Sequence, residues 1–211
     1  GCRMIYFATA NSPAIRAHMA DGTLGMLTTP KDGRSPASAK VWAADNGCFG
    51  KGYPGDAGYL AWLGKHAEHA PRCMFATAPD VVGDAAATLE RSAPFYAPIR
   101  ALGYPVALVA QDGLTPDHVP WADIDALFIG GSTDWKLGAA ARLLITEAKA
   151  RGLFVHIGRV NSHRRMRYAQ FVGADSVDGT FLTFGPEKNL PKLRGWLRDI
   201  HNQATLLAVA A

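Results

Sequence analysis

Cysteine is scarce in this sequence. There are three, Cys2, Cys48 and Cys73, among 211 residues, and their spacing is not that of a disulfide framework. A reduced, cytoplasmic setting is therefore expected. No CxxC or HxxxH pair occurs, so neither of these common zinc-ligand spacings is present and no metal is expected. No apolar run approaches the ~18 residues of a membrane-crossing helix. The run Met4–Ala8 is too short for a secretory signal and reads as a strand. Gly1, Cys2 and Arg3 read as residues added ahead of the fold. Internal repeats, low-complexity tracts and composition breaks are also missing, which leaves one domain over residues 1–211.

What is present is a regular alternation. Apolar residues make up 48% of the chain, enough for a sizeable core. Eight short apolar runs recur: Met4–Ala8, Leu24–Thr28, Val41–Ala44, Cys73–Ala78, Val106–Ala110, Ala126–Gly130, Leu153–Ile157 and Ala174–Val177. Apolar nearly throughout, they read as strands buried on both faces. Longer amphipathic stretches lie between them, at Asp84–Leu102, Trp135–Arg151 and Asn189–Leu206, with helix-ending glycines at Gly103 and Gly152. The first third is less regular, at Thr29–Ser38 and Gly50–Gly58. Strand and helix in alternation imply a parallel sheet, and eight strands favour closure into a (β/α)8 barrel of the TIM type.

Polar residues gather where the runs stop. Asp45-Asn46-Gly47-Cys48-Phe49, Pro79-Asp80, Gln111-Asp112-Gly113, Gly130-Gly131-Ser132, Gly158-Arg159 and Asp175-Ser176-Val177-Asp178-Gly179 each follow or end one. In a parallel barrel such ends converge on one rim, where active sites sit. Asp45, Asp80, Gln111, Asp112, Asp175 and Asp178 are expected to ring a single pocket. One Asp before Gly is usually a turn or cap. Several on one rim offer both a nucleophile and an acid/base, since close carboxylates raise one another's pKa.

In these motifs the chain resembles the tRNA-guanine transglycosylase superfamily. It is most similar to the small phage and bacterial relatives that insert 7-deazaguanines into DNA. Asp45-Asn46-Gly47-Cys48-Phe49 resembles the family's D-S-G-G-F signature, with Asn and Cys in place of Ser and Gly. Ala78-Pro79-Asp80 resembles the strand end whose Asp reads the purine. Val109-Ala110-Gln111 resembles the one whose Gln contacts the base carbonyl. Phe128-Ile129-Gly130-Gly131 resembles the glycine strand whose backbone amide faces the base, and His156-Ile157-Gly158 falls at a glycine-containing strand end. Gly173-Ala174-Asp175-Ser176-Val177-Asp178 resembles a G-x-D-x-x-D segment whose second Asp is the nucleophile, although the DNA-modifying relatives favour the first. The cysteine-rich zinc segment of the tRNA enzymes is absent, which turns the expected substrate from tRNA towards DNA.

The resemblance implies a base exchange needing no cofactor. A carboxylate, Asp178 or Asp175, attacks the sugar's anomeric carbon, and Asp45 handles the proton of the departing and arriving bases. Asp80, Gln111 and the Gly130–Gly131 backbone would hold a 7-deazaguanine-type base, with Phe49 or Tyr53 stacking on it. A duplex must first expose the base.

Net charge is +4, which mildly favours a polyanionic partner. The densest basic run comprises Arg151, Arg159, His163, Arg164, Arg165 and Arg167, read either as a phosphate grip beside the rim or as a solvated helix face. His156 reads as a sugar or phosphate contact, or as a hydrogen-bonded structural residue. Two other functions fit the sequence: hydrolysis of a modified base from nucleic acid, and a non-catalytic nucleic-acid-binding barrel.

Overall fold

A computed structural model of the chain describes residues 3–209, with side chains to 203. Gly1 and Cys2 lie outside the described residues. Of the eight strands, seven form within their predicted apolar runs, and the last, expected over Ala174–Val177, starts two residues later. They are β1 (Ile5–Ala8), β2 (Gly25–Thr28), β3 (Trp42–Ala44), β4 (Cys73–Thr77), β5 (Val106–Ala110), β6 (Ala126–Ile129), β7 (Phe154–Ile157) and β8 (Ser176–Asp178). All neighbours pair in parallel in sequence order, and β8 pairs with β1 through Ile5–Ser176, Tyr6–Val177 and Phe7–Asp178, closing the barrel.

The helices are α1 (Pro13–Asp21), α2 (Asp56–Lys65), α3 (Ala85–Ser92), α4 (Tyr96–Ala101), α5 (Thr133–Lys136), α6 (Ala139–Ala150), α7 (His163–Phe171) and α8 (Pro186–Val209). Two of the three expected helices are each split. Asp84 does cap its helix, accepting from Ala87 N at 2.9 Å. Pro94 then lacks the N–H an unbroken helix needs, and a 3-10 turn at Ala93–Phe95 separates α3 from α4. Gly138 interrupts the next one; a Cβ there would lie 3.2 Å from the Trp135 carbonyl. Between β2 and β3 the only helical element is a 3-10 turn at Pro30–Asp32.

The strands alternate, as pleated backbone must, between the barrel interior and the helix layer. Phe7, Ala43, Phe75, Ala107 and Ala126 fill the interior, with Leu27, Phe128 and Phe154 packed against them. Phe7 and Phe128 each meet Phe75 edge-on, with centroids 6.0 and 5.9 Å apart. The opposite parity, including Tyr6, Leu108, Leu127, Val155 and Val177, packs outward with α1, α6, α7 and α8 residues such as Ile15, Leu144, Met166 and Leu193. Because the interior is plugged with rings, an open pocket can form only above the plug. Among the described residues, no helix is long and apolar enough to cross a membrane.

Candidate active site

Above the plug, at the C-terminal ends of the strands, lies a cavity of about 130 Å³. One water occupies roughly 10–15 Å³ on this scale, so there is room for a planar bicyclic base. Leu27, Val109 and Phe128 give it an apolar floor, and Asp45, Asp80, Gln111 and Asp178 reach it from β3, β4, β5 and β8. Gly130, Gly131, Gly158, Arg159 and Phe49 line it as well.

Asp178 is held by two donors. His156, fully buried among Phe7, Phe75 and Phe128, places Nε2 2.7 Å from Asp178 Oδ2. Its Nδ1 lies 2.7 Å from Ser176 Oγ. An ionised carboxylate only accepts, so Nε2 carries a proton towards Asp178, while Nδ1 is tied to the serine hydroxyl. The Arg159 amide donates to Asp178 Oδ1 at 3.1 Å. Gly158 lets this packing close up: a Cβ there would sit 2.8 Å from the Phe128 ring and 3.4 Å from Asp178 Oδ2. Of the two readings of His156, the structure supports the hydrogen-bonded one.

Asp45 follows β3. Burial, then the negative charges of Asp178 and Asp80, push its carboxyl up to about 7, against weaker opposing hydrogen bonds from the Gly47 amide and Thr77. Asp45 is therefore poised to gain and lose a proton near neutrality. Asp80 is also raised, mainly by burial. Its Oδ1 accepts from Asn46 Nδ2 at 2.9 Å and its Oδ2 from Gln111 Nε2 at 2.7 Å. Asn46, the residue standing where the D-S-G-G-F signature has Ser, thus ties Asp80 in place. The same amide nitrogen also donates to the Ala78 carbonyl.

Three expectations need correction. Asp175 does not reach the pocket. It precedes β8, at the opposite end of the barrel, where Oδ2 accepts from Lys149 Nζ at 2.6 Å and Val155 N at 2.8 Å. The amides of Gly130 and Gly131 do not face a base: the first donates to the Ala110 carbonyl at 3.0 Å and the second to Gln111 Oε1 at 3.1 Å. Gln111 Oε1 also accepts from Gly83 N at 3.0 Å, so only an Nε2 hydrogen remains for a ligand. Asp112 lies outside the pocket lining and braces the next loop instead, accepting from Ser132 N at 2.6 Å and Ser132 Oγ at 2.7 Å.

Of the two aromatic candidates, Phe49 is at the pocket mouth and 69% exposed. Arg159 lies 5.2 Å from its ring centroid and also donates to the Gly131 carbonyl. Tyr53 is not in the lining; it donates to Asp56 at 2.6 Å and lies under Arg91.

The basic run divides. Arg151 is the C-cap of α6 and pairs with Glu147 at 2.7 Å. Arg164 and Arg165 belong to the first turn of α7, capped by Ser162 accepting from Arg165 N at 3.3 Å, and line a surface depression with Asn161 and Tyr168. Arg167 lines an adjoining depression with His163 and Phe171. His163 itself faces Asp199 at 2.8 Å. Lys136 has no counterpart among the residues that sequence patterns single out. Asn46 lay inside a motif, but its tie to Asp80 is a feature of folded geometry.

No family model and no curated protein matches the chain. Solved structures do. The chain is similar to tryptophan synthase from M. tuberculosis (TM-score 0.57, 14% identity, covering 94% of this chain and 91% of that one). It is similar to tryptophan synthase from Pyrococcus furiosus (0.54, 14%, 95% of each chain). Phosphoribosyl anthranilate isomerase from Thermus thermophilus gives 0.53 at 15% identity, over 93% of this chain and 100% of that one. At such identities the likeness is one of fold, and these proteins and this one are TIM barrels.

Proposed function

We propose that the protein is a base-exchange transglycosylase. It replaces guanine in nucleic acid, DNA ahead of tRNA, with a 7-deazaguanine derivative, through a covalent Asp178–sugar intermediate. The observation that carries this reading is the pair Asp178 and Asp45. One carboxylate is oriented by two donors, and the other, buried and then burdened by the first's charge, is tuned to about 7. Retaining exchange requires these two roles.

In the first half-reaction an Asp178 oxygen forms a bond to the anomeric carbon. The bond from that carbon to the purine nitrogen breaks, its electron pair leaves with the base, and Asp45 supplies a proton. In the second, Asp45 takes the N–H proton of the incoming 7-deazaguanine. Its nitrogen attacks the anomeric carbon, and the ester bond to Asp178 breaks to return the carboxylate. Each displacement inverts, so the product retains configuration. Asp80, with lone pairs left after accepting from Asn46 and Gln111, suits the N–H and amino edge of the base. The remaining Gln111 Nε2 hydrogen suits its carbonyl. Phe49 offers a stacking face at the mouth, and Arg159, Arg164, Arg165 and Arg167 would supply contacts to phosphates.

The test is incubation with guanine-containing DNA or tRNA and labelled 7-deazaguanines. Exchange predicts label in the polymer matched by released guanine. Guanine or modified-base release without incorporation would favour the hydrolytic reading, and binding without either would favour the non-catalytic one.

A further inference from the structure

Lys136 ends α5 with its side chain buried, 1% exposed. Lysines are almost never buried so deeply without a carboxylate partner, because the ammonium loses its hydration. Lys136 takes part in none of the ion pairs among the described residues. Its Nζ donates to the Gly158 carbonyl at 2.6 Å.

That carbonyl shares a peptide unit with the Arg159 amide, and the Arg159 amide donates to Asp178 Oδ1. The C=O and N–H of one peptide are conjugated, so a cation on the oxygen makes the N–H a stronger donor. Ammonium, peptide and carboxylate stand in series. We infer that Lys136 is a positioning residue for Asp178, acting through the Gly158–Arg159 peptide as a countercharge delivered at one peptide's remove.

Two further features fit. Arg159 has φ 58°, the sole left-handed backbone among the described non-glycine residues, and so holds the peptide in a conformation that costs strain. The charged groups bearing on Lys136 are Arg159 from the loop after β7, Arg165 from α7 and Asp178 from β8. Burial above all, then Arg159 and more weakly Arg165, lower the Lys136 ammonium to about 8, while Asp178 opposes them. A lysine is charged below its pKa and neutral above it, so this support is present below about pH 8 and lost as pH rises through that value. The indirect route has a chemical advantage. A lysine bound directly to Asp178 would occupy an attacking oxygen, as Lys149 does at Asp175, whereas a peptide amide transmits charge and leaves lone pairs open.

The kinetic consequence rests on Asp178 being the nucleophile; the electrostatic coupling does not. The test is NMR on the ligand-free protein, following the Lys136 side chain and the Arg159 amide across pH. Lys136 should titrate near about 8, and its midpoint should fall in Asp178→Asn, because the opposing charge is gone. The Arg159 amide proton should move upfield in Lys136→Met. If Lys136→Met does not fold, the Asp178→Asn arm decides alone, since it leaves the lysine in place. An unmoved Lys136 midpoint in Asp178→Asn, or an unmoved Arg159 amide in a folded Lys136→Met, would overturn the inference. Where exchange activity is present, Lys136→Met should lower kcat about tenfold, the scale of weakening one hydrogen bond to a charge, with KM for the base unchanged. Lys136→Arg should recover part of that loss and move the alkaline limb of the pH profile upward. Coupling seen by NMR without any exchange activity would retire the transglycosylase reading and leave this inference intact.

Discussion

Asp175 and Asp178 are three residues apart, yet they sit at opposite ends of β8 and in opposite chemistry. Asp175 is met by Lys149 and by a backbone amide of the neighbouring strand. Asp125, just ahead of β6, is met the same way by Arg100 at 2.8 Å and Val106 N at 2.8 Å. These N-terminal carboxylates clip a strand to its neighbour and to the helix ahead of that neighbour. Asp178 instead receives an imidazole and a peptide amide and opens into a cavity beside a second, partly protonated carboxylate. A carboxylate locked to a cation makes a clasp. One oriented by a ring N–H and a peptide N–H at the edge of a cavity keeps lone pairs for chemistry.

The contrast is most strongly tested by paired substitutions. Asp178→Asn should reduce exchange by about a thousandfold or more, as expected for loss of a nucleophile, while the protein stays folded. Asp175→Asn should leave exchange nearly unchanged. If the two variants show the reverse pattern, the assignment of the two ends is wrong.

Asp45 sharpens the same comparison through pH. Its folded-state value near 7 exceeds its ordinary value of 3.8, so the folded protein binds the extra proton between them. Stability therefore falls as pH rises from about 4 to about 7 and levels off above. Asp45→Asn removes this penalty. The variant should gain up to about 4 kcal/mol over wild type at pH 8, with the gain gone near pH 4. Thermal denaturation across that range reads it. A variant equally or less stable than wild type at pH 8 would mean that Asp45 is not strained by its burial and its acidic neighbours. Asp175→Asn should do the opposite, costing about 1–2 kcal/mol near neutrality, because its partly exposed lysine and its strand amide lose a charged acceptor.

The smallest effect concerns the approach to the site. Neutralising Arg164, Arg165 and Arg167 to Gln should weaken nucleic-acid binding across sequences and reduce the salt slope of log affinity by about 2–3 if each contacts a phosphate. An unchanged slope would make this stretch of α7 a solvated face.

Much of this was legible before the fold was known. Strands of a closed parallel barrel are buried on both faces, so each was an uninterrupted apolar run, and Asp45, Asp80, Gln111 and Asp178 stood at their ends. The shorter helices were less visible. α1 and α2 each bury only two side chains, Ile15 with Met19 and Tyr59 with Leu63, too few to show a period. The Ser12 cap, Pro13 at the start and Gly22 at φ 86° were nonetheless punctuation for α1. Asp175 was misplaced because the last strand was expected over Ala174–Val177 and forms at Ser176–Asp178, leaving Asp175 before the strand. Lys136 was beyond reach: nothing in a linear pattern distinguishes a buried lysine from a solvated one. The occupied amide of Gly131 likewise depends on where the Gln111 side chain folds, and that of Gly130 on the backbone pairing with Ala110.

The most direct test of the central claim is to trap the protein on guanine-containing nucleic acid, denature it and map the modified peptide by mass spectrometry. The account predicts a sugar ester on Asp178, formed by wild type, absent in Asp178→Asn and undiminished in Asp175→Asn. An adduct on any other residue, or none at all while free base accumulates, would contradict it.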